Sequence, residues 1–506
     1  MEKMNRITER IRQVIHQRNA IAPRLLVHAR DIEVLTVPSE FYLLLKEKIL
    51  GAERRIFLLL LYIGKSQVEL VLVIDQALSK NPDLEVHILT DALRGTREAP
   101  ENPCLASLIV SLVEKHGKHR VNIRMYHTPH LSGIAKLLWP RRLNESFGLQ
   151  HMKLYGFDNE TILLGANLLE DYFTDRQDRY YLFRHQQLTD YYFEVHAAIS
   201  RLLYQLLPLK KRVEGFRLLW PTLNALCDPH INKERFILDS AHLLEPILKK
   251  DTSTDDLKVV DTDTVVYAVS QFTPLLHSRN DVSTEKPAIL RLLSYLDLPA
   301  IKWCFTAGYF NMLPEIQERL ANVKSEGLVI TAAPQANLFY KLSGILHYVP
   351  EAYVLCAKRF LEIIKKAGKE NLVKVYEWLN GVVNTSGGWL YHAKGLWISA
   401  PGEDIPLITV IGLLNYTKRA YSLDLESNAI IITSDDALKR AMLGEIENIM
   451  THAKRMKLED FHPSEHQVKV KGENGEELEK TVMAIDENRR ISLTVHLLYK
   501  LFGGSM

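Results

Sequence analysis

Long apolar runs are missing from this sequence. The longest, residues 56–63, has eight members, against the ~18–20 that a bilayer span requires. It reads as a buried strand, and no membrane-spanning helix is expected. Cysteine is scarce: Cys104, Cys227, Cys304 and Cys356 are scattered with no C-x-x-C spacing. That excludes a disulfide framework and a thiolate zinc site, and suits a reducing compartment. An excess of one charge is also absent. The formal net charge of +2 over 506 residues gives no electrostatic case for nucleic acid, and a nuclease usually presents a basic groove. Low-complexity tracts are absent as well.

What is present is apolar mass in short segments. With 47% hydrophobic residues in 506, a large core and two or three domains are expected. Residues 1–30 hold seven basic side chains against two acidic ones, a weak resemblance to an amphipathic organelle presequence that lacks serine. Residues 1–25 are therefore set apart as a lead-in.

Two stretches run in the same order. In the first, residues 55–64 read as a strand, 69–80 as a helix, 84–93 as a strand, 104–116 as a helix and 121–126 as a strand. In the second, 301–310, 327–333 and 373–378 read as strands, with helices at 314–321 and 353–367; Pro314 sits in a first turn, where no donor is lost. Each series ends on a strand bearing His-x-Lys, at His151 and Lys153 and again at His392 and Lys394. A duplicated fold follows, with halves at 26–223 and 264–506 joined by a charged connection at 224–263. The second half opens on a strand at 264–269 and ends with a helix at 437–457 and a hairpin turning at 472–475.

The correspondence extends past the histidines. Period two places His151 and Lys153 on one face of their strand. Each motif leads to a glycine-led turn with an asparagine, Asn167 or Asn415, and eleven residues beyond each stands an acid, Asp178 or Glu426. Such a set suits phosphoryl chemistry. A neutral imidazole can attack phosphorus while a second moves the proton. Lysines and asparagines hold the non-bridging oxygens, and a carboxylate behind each histidine fixes its tautomer. Asp158 completes H-x-K-x-x-x-x-D in the first half, but the equivalent position in the second is Ser399, with Asp404 a candidate substitute from a longer loop.

These residues resemble the phospholipase D superfamily, whose members join two such motifs at one pseudo-twofold site. Gln150-His151-Met152-Lys153, Gly165-Ala166-Asn167-Leu168, Tyr172-Phe173, Arg176-Gln177-Asp178-Arg179-Tyr180 and Tyr391-His392-Ala393-Lys394-Gly395-Leu396-Trp397 are similar to the eukaryotic phosphatidylglycerophosphate synthases. The resemblance implies an α/β fold of two pseudo-symmetric α/β/α halves with mixed central sheets and one composite site. It implies His151, Lys153, His392 and Lys394 as catalytic, with Asp158 structural. His151 would attack, His392 would act as general acid and then base, or the two roles would be exchanged. Arg176, Arg179 and Arg419 are candidates to grip an acceptor phosphate. The implied substrates are CDP-diacylglycerol and glycerol 3-phosphate, with no metal or other cofactor. The implied location is the mitochondrion, peripheral on the inner membrane.

A lipid donor requires access from an anionic bilayer surface. Residues 131–142 and 202–220 mix Leu, Trp, Tyr and Phe with Lys and Arg, and each can lie at a headgroup boundary or pack as an ordinary core segment. Three rivals share the motif or part of it: a phosphatidylserine synthase, a phospholipase D-type hydrolase and a non-catalytic lipid-binding protein.

Overall fold

A computed structural model describes residues 21–64, 66–250, 262–471 and 477–503. Residues 1–20 of the expected lead-in and the 472–475 turn lie outside these residues, although the strands Ser464–Lys471 and Glu477–Ala484 that flank the turn do pair antiparallel. Two nine-stranded mixed sheets dominate. The first runs Phe216–Leu219, Tyr204–Pro208, Val121–Tyr126, Glu85–Asp91, Arg55–Leu59, Leu154–Phe157, Glu160–Leu164, Tyr180–Phe183 and Ile32–Leu35. The second runs Arg24–Val27, Thr264–Gln271, Glu426–Thr433, Pro406–Ile411, Lys394–Ser399, Lys302–Ala307, Glu326–Ala332, Val373–Trp378 and Ala453–Met456. Each has three parallel strands, with the remaining pairs antiparallel. The first two strands of the described chain straddle the halves: Arg24–Val27 pairs with Thr264–Gln271 in the second sheet, and Ile32–Leu35 with Tyr180–Phe183 in the first.

Helices cover the sheets because their apolar positions recur every three or four residues. Val68–Lys80 buries Leu70, Val71, Ile74, Ala77 and Leu78. It joins Pro38–Gly51 and Leu105–His116 in a core on one face of the first sheet. Tyr348–Lys366, Glu285–Ser294 and Pro314–Ala321 do the same for the second. A third core, shared by both sheets, embeds Gln186–Ser200, Lys233–Leu248 and Asp436–Met450. Lys233–Leu248 falls in the stretch read as a charged connection; Phe236, Ala241, Leu244 and Leu248 bury one of its faces. No helix among the described residues is long and apolar enough to cross a membrane.

Within the shared core one ion pair joins the halves. Arg179 Nε and Nη2 donate to the two carboxylate oxygens of Glu445 at 2.9 and 3.0 Å. Its Nη1 donates to the carbonyls of Lys394 and Val410 at 3.1 and 2.6 Å, and its guanidinium lies 4.0 Å from the Trp397 ring. Gly395 makes room for it, since a Cβ there would come within 2.0 Å of Nη1. Arg179 is thus spent on holding the halves together, which corrects its expected place as a phosphate contact. Removing one partner of a buried pair strands the other charge. Glu445→Ala is therefore expected to cost about 3–5 kcal/mol, read as a lowered urea midpoint. Asp404→Ala, which breaks only an exposed contact with Lys302, should leave the midpoint in place.

Candidate active site

Both histidines lie where the parallel strands end. Leu154 pairs with Leu59, the last residue of its strand, and Lys394 pairs with Ala307, the last of its own. The sequence placed His151 and His392 inside strands; the structure places His151 before Leu154–Phe157 and His392 between Leu390–Tyr391 and Lys394–Ser399. The reason is where their backbone hydrogen bonds go. His151 N donates to Leu425 O and His392 N to Gln177 O, each at 2.9 Å, so each histidine is pinned to the opposite half. A short parallel pairing of Arg176–Gln177 with Leu390–Tyr391 and a bridge from Gln150 to Leu425 extend this seam.

The side chains cross the same seam. Asp178 Oδ2 lies 2.7 Å from His392 Nδ1, and Glu426 Oε1 lies 2.7 Å from His151 Nδ1. Each acid serves the histidine of the other half. With the carboxyl ionised, Nδ1 must carry the ring proton, which leaves the Nε2 lone pair available. Gly165 allows Asp178 this position, because a Cβ there would meet its Oδ1 at 2.0 Å.

Burial governs the electrostatics. The His392 side chain is 5% exposed and His151 14%. Desolvation, then Lys153, Lys394 and Arg419, push His151 well below the usual imidazole range. Desolvation, then Lys394, Arg176, Lys153 and His151, do the same to His392. Lys153 falls to about 7, chiefly by burial and against the pull of Glu426 and Asp178, and burial likewise pushes Lys394 well below the usual lysine range. The carboxyls move up for the same reason, Asp178 to about 6 and Glu426 well above its ordinary value. Lys153 Nζ donates to His151 O at 3.0 Å. Among the described residues Lys394 Nζ, Asn167 Oδ1 and Asn415 Oδ1 are buried without a hydrogen-bond partner. A phosphate beside Lys153 and Lys394 would stabilise the cationic form of both lysines and take up the free donors of Lys394.

Of the other expected residues, Arg176 is buried and paired with Asp171, its guanidinium 3.7 Å from the Tyr172 ring. Arg419 donates to Asp424 at 3.2 Å and to Glu145 O at 2.9 Å. Their charges reach His392 and His151 respectively, so both stay near the site, whereas Arg179 does not. Asp158 stands apart: its carboxylate accepts the backbone N–H groups of Glu53, Arg54 and Arg55 at 2.8, 2.8 and 3.0 Å. It ties a strand start to a hairpin and makes no contact with the reacting groups. Ser399 does the smaller equivalent, accepting from Lys302 N at 2.9 Å and donating to Ala400 O. Asp404 reaches Lys302 only through an exposed side-chain pair.

Three positions escaped sequence reasoning. Tyr172 Oη accepts from Asn167 Nδ2 at 2.8 Å and lies 3.5 Å from His392 Nε2. Tyr309 packs edge-on to His392 at 5.9 Å between ring centroids. Glu285 accepts both contacts of Asn428 Nδ2, while Asn428 Oδ1 accepts Leu413 N, which sets the loop carrying Asn415. Tyr172 was visible within the quoted motif; the other two lie far from any motif and carried no signal.

Two halves that each bring a histidine and a lysine to one buried seam form the arrangement that the resemblance implied. No protein-family model matches the chain. It is 49% identical over 448 residues to the CDP-diacylglycerol–glycerol-3-phosphate 3-phosphatidyltransferase of Saccharomyces cerevisiae, covering 87% of this chain and 85% of the relative. The Schizosaccharomyces pombe enzyme of that name is 38% identical over 476 residues (87% and 92%), and the human mitochondrial one 30% over 474 (89% and 82%). The fold is shared with a phosphatidylserine synthase of Haemophilus influenzae, at TM-score 0.65 and 21% identity over 89% of this chain and 91% of that one. The chain belongs to the family of CDP-diacylglycerol–glycerol-3-phosphate 3-phosphatidyltransferases.

The sign of the histidine shifts can be checked directly. A lowered imidazole pKa keeps the ring neutral as pH falls through about 6.5, where an ordinary histidine takes up its proton. Nitrogen-15 spectra at pH 6 should show the His151 and His392 rings neutral, and a protonated ring at either position would refute the shift.

Proposed function

We propose that the chain transfers a phosphatidyl group from CDP-diacylglycerol to the hydroxyl of glycerol 3-phosphate, giving phosphatidylglycerophosphate and CMP. The observation that carries the mechanism is the pair of crossed carboxyl–imidazole contacts in one buried cluster with two lysines. His151 Nε2 attacks the phosphorus bearing diacylglycerol, the bond to the CMP oxygen breaks, and a phosphatidyl-histidine forms. His151 suits this role as the more accessible ring, whereas His392 Nε2 faces the Tyr172 hydroxyl. The leaving group is a phosphate monoester, so its departure needs little protonation. His392, held neutral by its burial, has no proton to give in the first step and a free lone pair for the second. There it takes the proton from the glycerol hydroxyl as that oxygen attacks phosphorus, and His151 is released.

Lys153, Lys394, Asn167 and Asn415 hold the non-bridging oxygens, with Lys394 Nζ the unpaired donor. Asp178 and Glu426 fix the rings, and Arg176 and Arg419 face the acceptor's own phosphate. Family membership selects glycerol 3-phosphate over serine or water, since the phosphatidylserine synthase shares the fold alone. The relatives named as mitochondrial favour that compartment, and a lipid donor favours a peripheral position on its inner membrane.

Incubation with CDP-diacylglycerol and either glycerol 3-phosphate, serine or water should give CMP release that depends on glycerol 3-phosphate. Release indifferent to it would refute the acceptor. His151→Ala and His392→Ala should each lower turnover by at least about 10³-fold, because the pair acts as a unit. With donor alone, His392→Ala should accumulate an acid-labile phosphatidyl adduct that His151→Ala cannot form; the reverse pattern would exchange the roles. Glu426→Gln should cost on the order of 10³-fold in kcat, through loss of the ring's orientation.

A further inference from the structure

The loops that follow the parallel strands all leave from the end of the sheets where the histidines sit. Residues 127–149 follow Val121–Tyr126, residues 333–347 follow Glu326–Ala332, and residues 379–389 follow Val373–Trp378. They are tied to the site and to one another. Glu145 O accepts from Arg419, Leu149 N donates to Asp424, and Val383 N donates to Gln335 O. These loops expose large apolar side chains to solvent. Leu138 is 76% exposed, and Trp139, Leu143, Leu342, Ile345 and Val382 are exposed too. Arg141 is paired with Glu101 and Glu145 with Arg97, which leaves Lys136, Arg142 and Lys341 as the cations these loops present. Lys136, Arg142 and Lys341 are all exposed.

The other segment of similar composition lies elsewhere. Leu202, Leu203, Leu206 and Phe216 are buried in the core. Tyr204–Pro208 runs antiparallel to Val121–Tyr126, with Tyr204 opposite Met125. The turn at 209–215, with Lys210, Lys211 and Arg212, therefore points away from the histidines.

We infer that the rim formed by residues 131–143 and 341–345 docks the molecule on an anionic lipid bilayer with the histidine site facing the membrane. This deepens the proposed function and rests on its lipid donor. Apolar side chains ringed by cations insert at the headgroup boundary, while the cations meet anionic lipid. A donor whose acyl chains stay in the bilayer can then present its diphosphate to the site without leaving the membrane. The occupant is a bilayer rather than a protein because the rim lies at the end of the sheets that carries the histidines and is bonded to the site through Arg419 and Asp424, and because its charge opposes that of anionic headgroups.

The test is flotation of the full chain with phosphatidylcholine vesicles, with and without phosphatidylglycerol. It is paired with CMP release from CDP-diacylglycerol embedded in the vesicles and from a short-chain form soluble as a monomer. Leu138→Asp, Trp139→Asp and Ile345→Asp together should cut vesicle binding and turnover of the embedded donor about tenfold or more. Turnover of the short-chain donor should stay within about twofold, since these are surface changes. Arg142→Glu and Lys341→Glu should each weaken binding to anionic vesicles about fivefold and leave neutral vesicles unaffected. Val213→Asp, at the opposite end and 92% exposed, should change nothing. Undiminished binding of the triple variant, or an equal loss with Val213→Asp, would overturn the docking face. An unaltered chain that never releases CMP from the short-chain donor with glycerol 3-phosphate would instead overturn the proposed function, and flotation would still report on the rim.

Discussion

Two hydrogen bonds that cross between the halves, Asp178 to His392 and Glu426 to His151, are the constraint on which the rest of the molecule depends. Neither half holds a complete pair. An imidazole whose tautomer and aim are set by a carboxylate 2.7 Å away tolerates little displacement of that carboxylate. The two sheets must therefore behave as one body. The backbone bonds of both histidines to the opposite half, the Arg179–Glu445 pair and the core shared by both sheets serve this end. Arg179 adjoins Asp178 in sequence and bonds the carbonyl of Lys394, so a single side chain fixes the acid of one half against the lysine of the other.

The pseudo-symmetry is strict at the reacting groups and loose away from them. Asp158 uses a carboxylate to gather three backbone N–H groups, whereas Ser399 gathers one with a hydroxyl. Both tie the start of the leading strand to the hairpin that follows the motif. A bond of this kind stabilises a turn and adds nothing to the electrostatics of the histidines, so the second half can function with the weaker version. His392 and Lys394 have no such latitude, because their partners lie across the seam.

Much of this was legible in the sequence because it repeats. Strand and helix periodicity and the recurrence of His-x-Lys, asparagine and acid gave the duplicated α/β halves, the resemblance implied their mixed sheets, and the histidines and acids so marked are the ones the structure brings together at the seam. Contacts made at long range left no trace. Nothing in the sequence says that Asp178 serves His392 rather than His151, since a spacing of eleven residues from an asparagine carries no direction in space. Arg179 read as a phosphate ligand because arginine beside a motif fits that role; only Glu445, 266 residues away, shows it to be structural. Lys233–Leu248 was hidden by charged neighbours, although its buried face carries ordinary helical spacing. Residues 202–220 read equally as a headgroup contact or a core segment for want of a register, and the pairing of Tyr204 with Met125 turns the basic loop at 210–212 away from the histidines.

The site is costly to keep in the form described. Lysines, imidazoles and carboxyls share one desolvated volume, and burial moves every one of them toward its neutral state. An ordinary protein core would replace such a set with apolar side chains at no loss of stability. Its retention makes sense if the missing charge is brought by the reactant. A diphosphate donor and a phosphate-bearing acceptor supply the anions that the lysines lack, and they do so only when bound. Lys394 Nζ, buried and without a partner, is poised to strengthen its contacts as charge on the transferring oxygens grows. Interactions that tighten toward the transition state raise turnover rather than affinity alone. The same burial keeps both imidazoles neutral before substrate arrives, so the nucleophile is ready without a prior deprotonation. Desolvation thus supplies the free nucleophile and leaves the Lys394 amine to take its charge when the anion arrives, and the cross-half carboxyls keep each ring aimed while it does so.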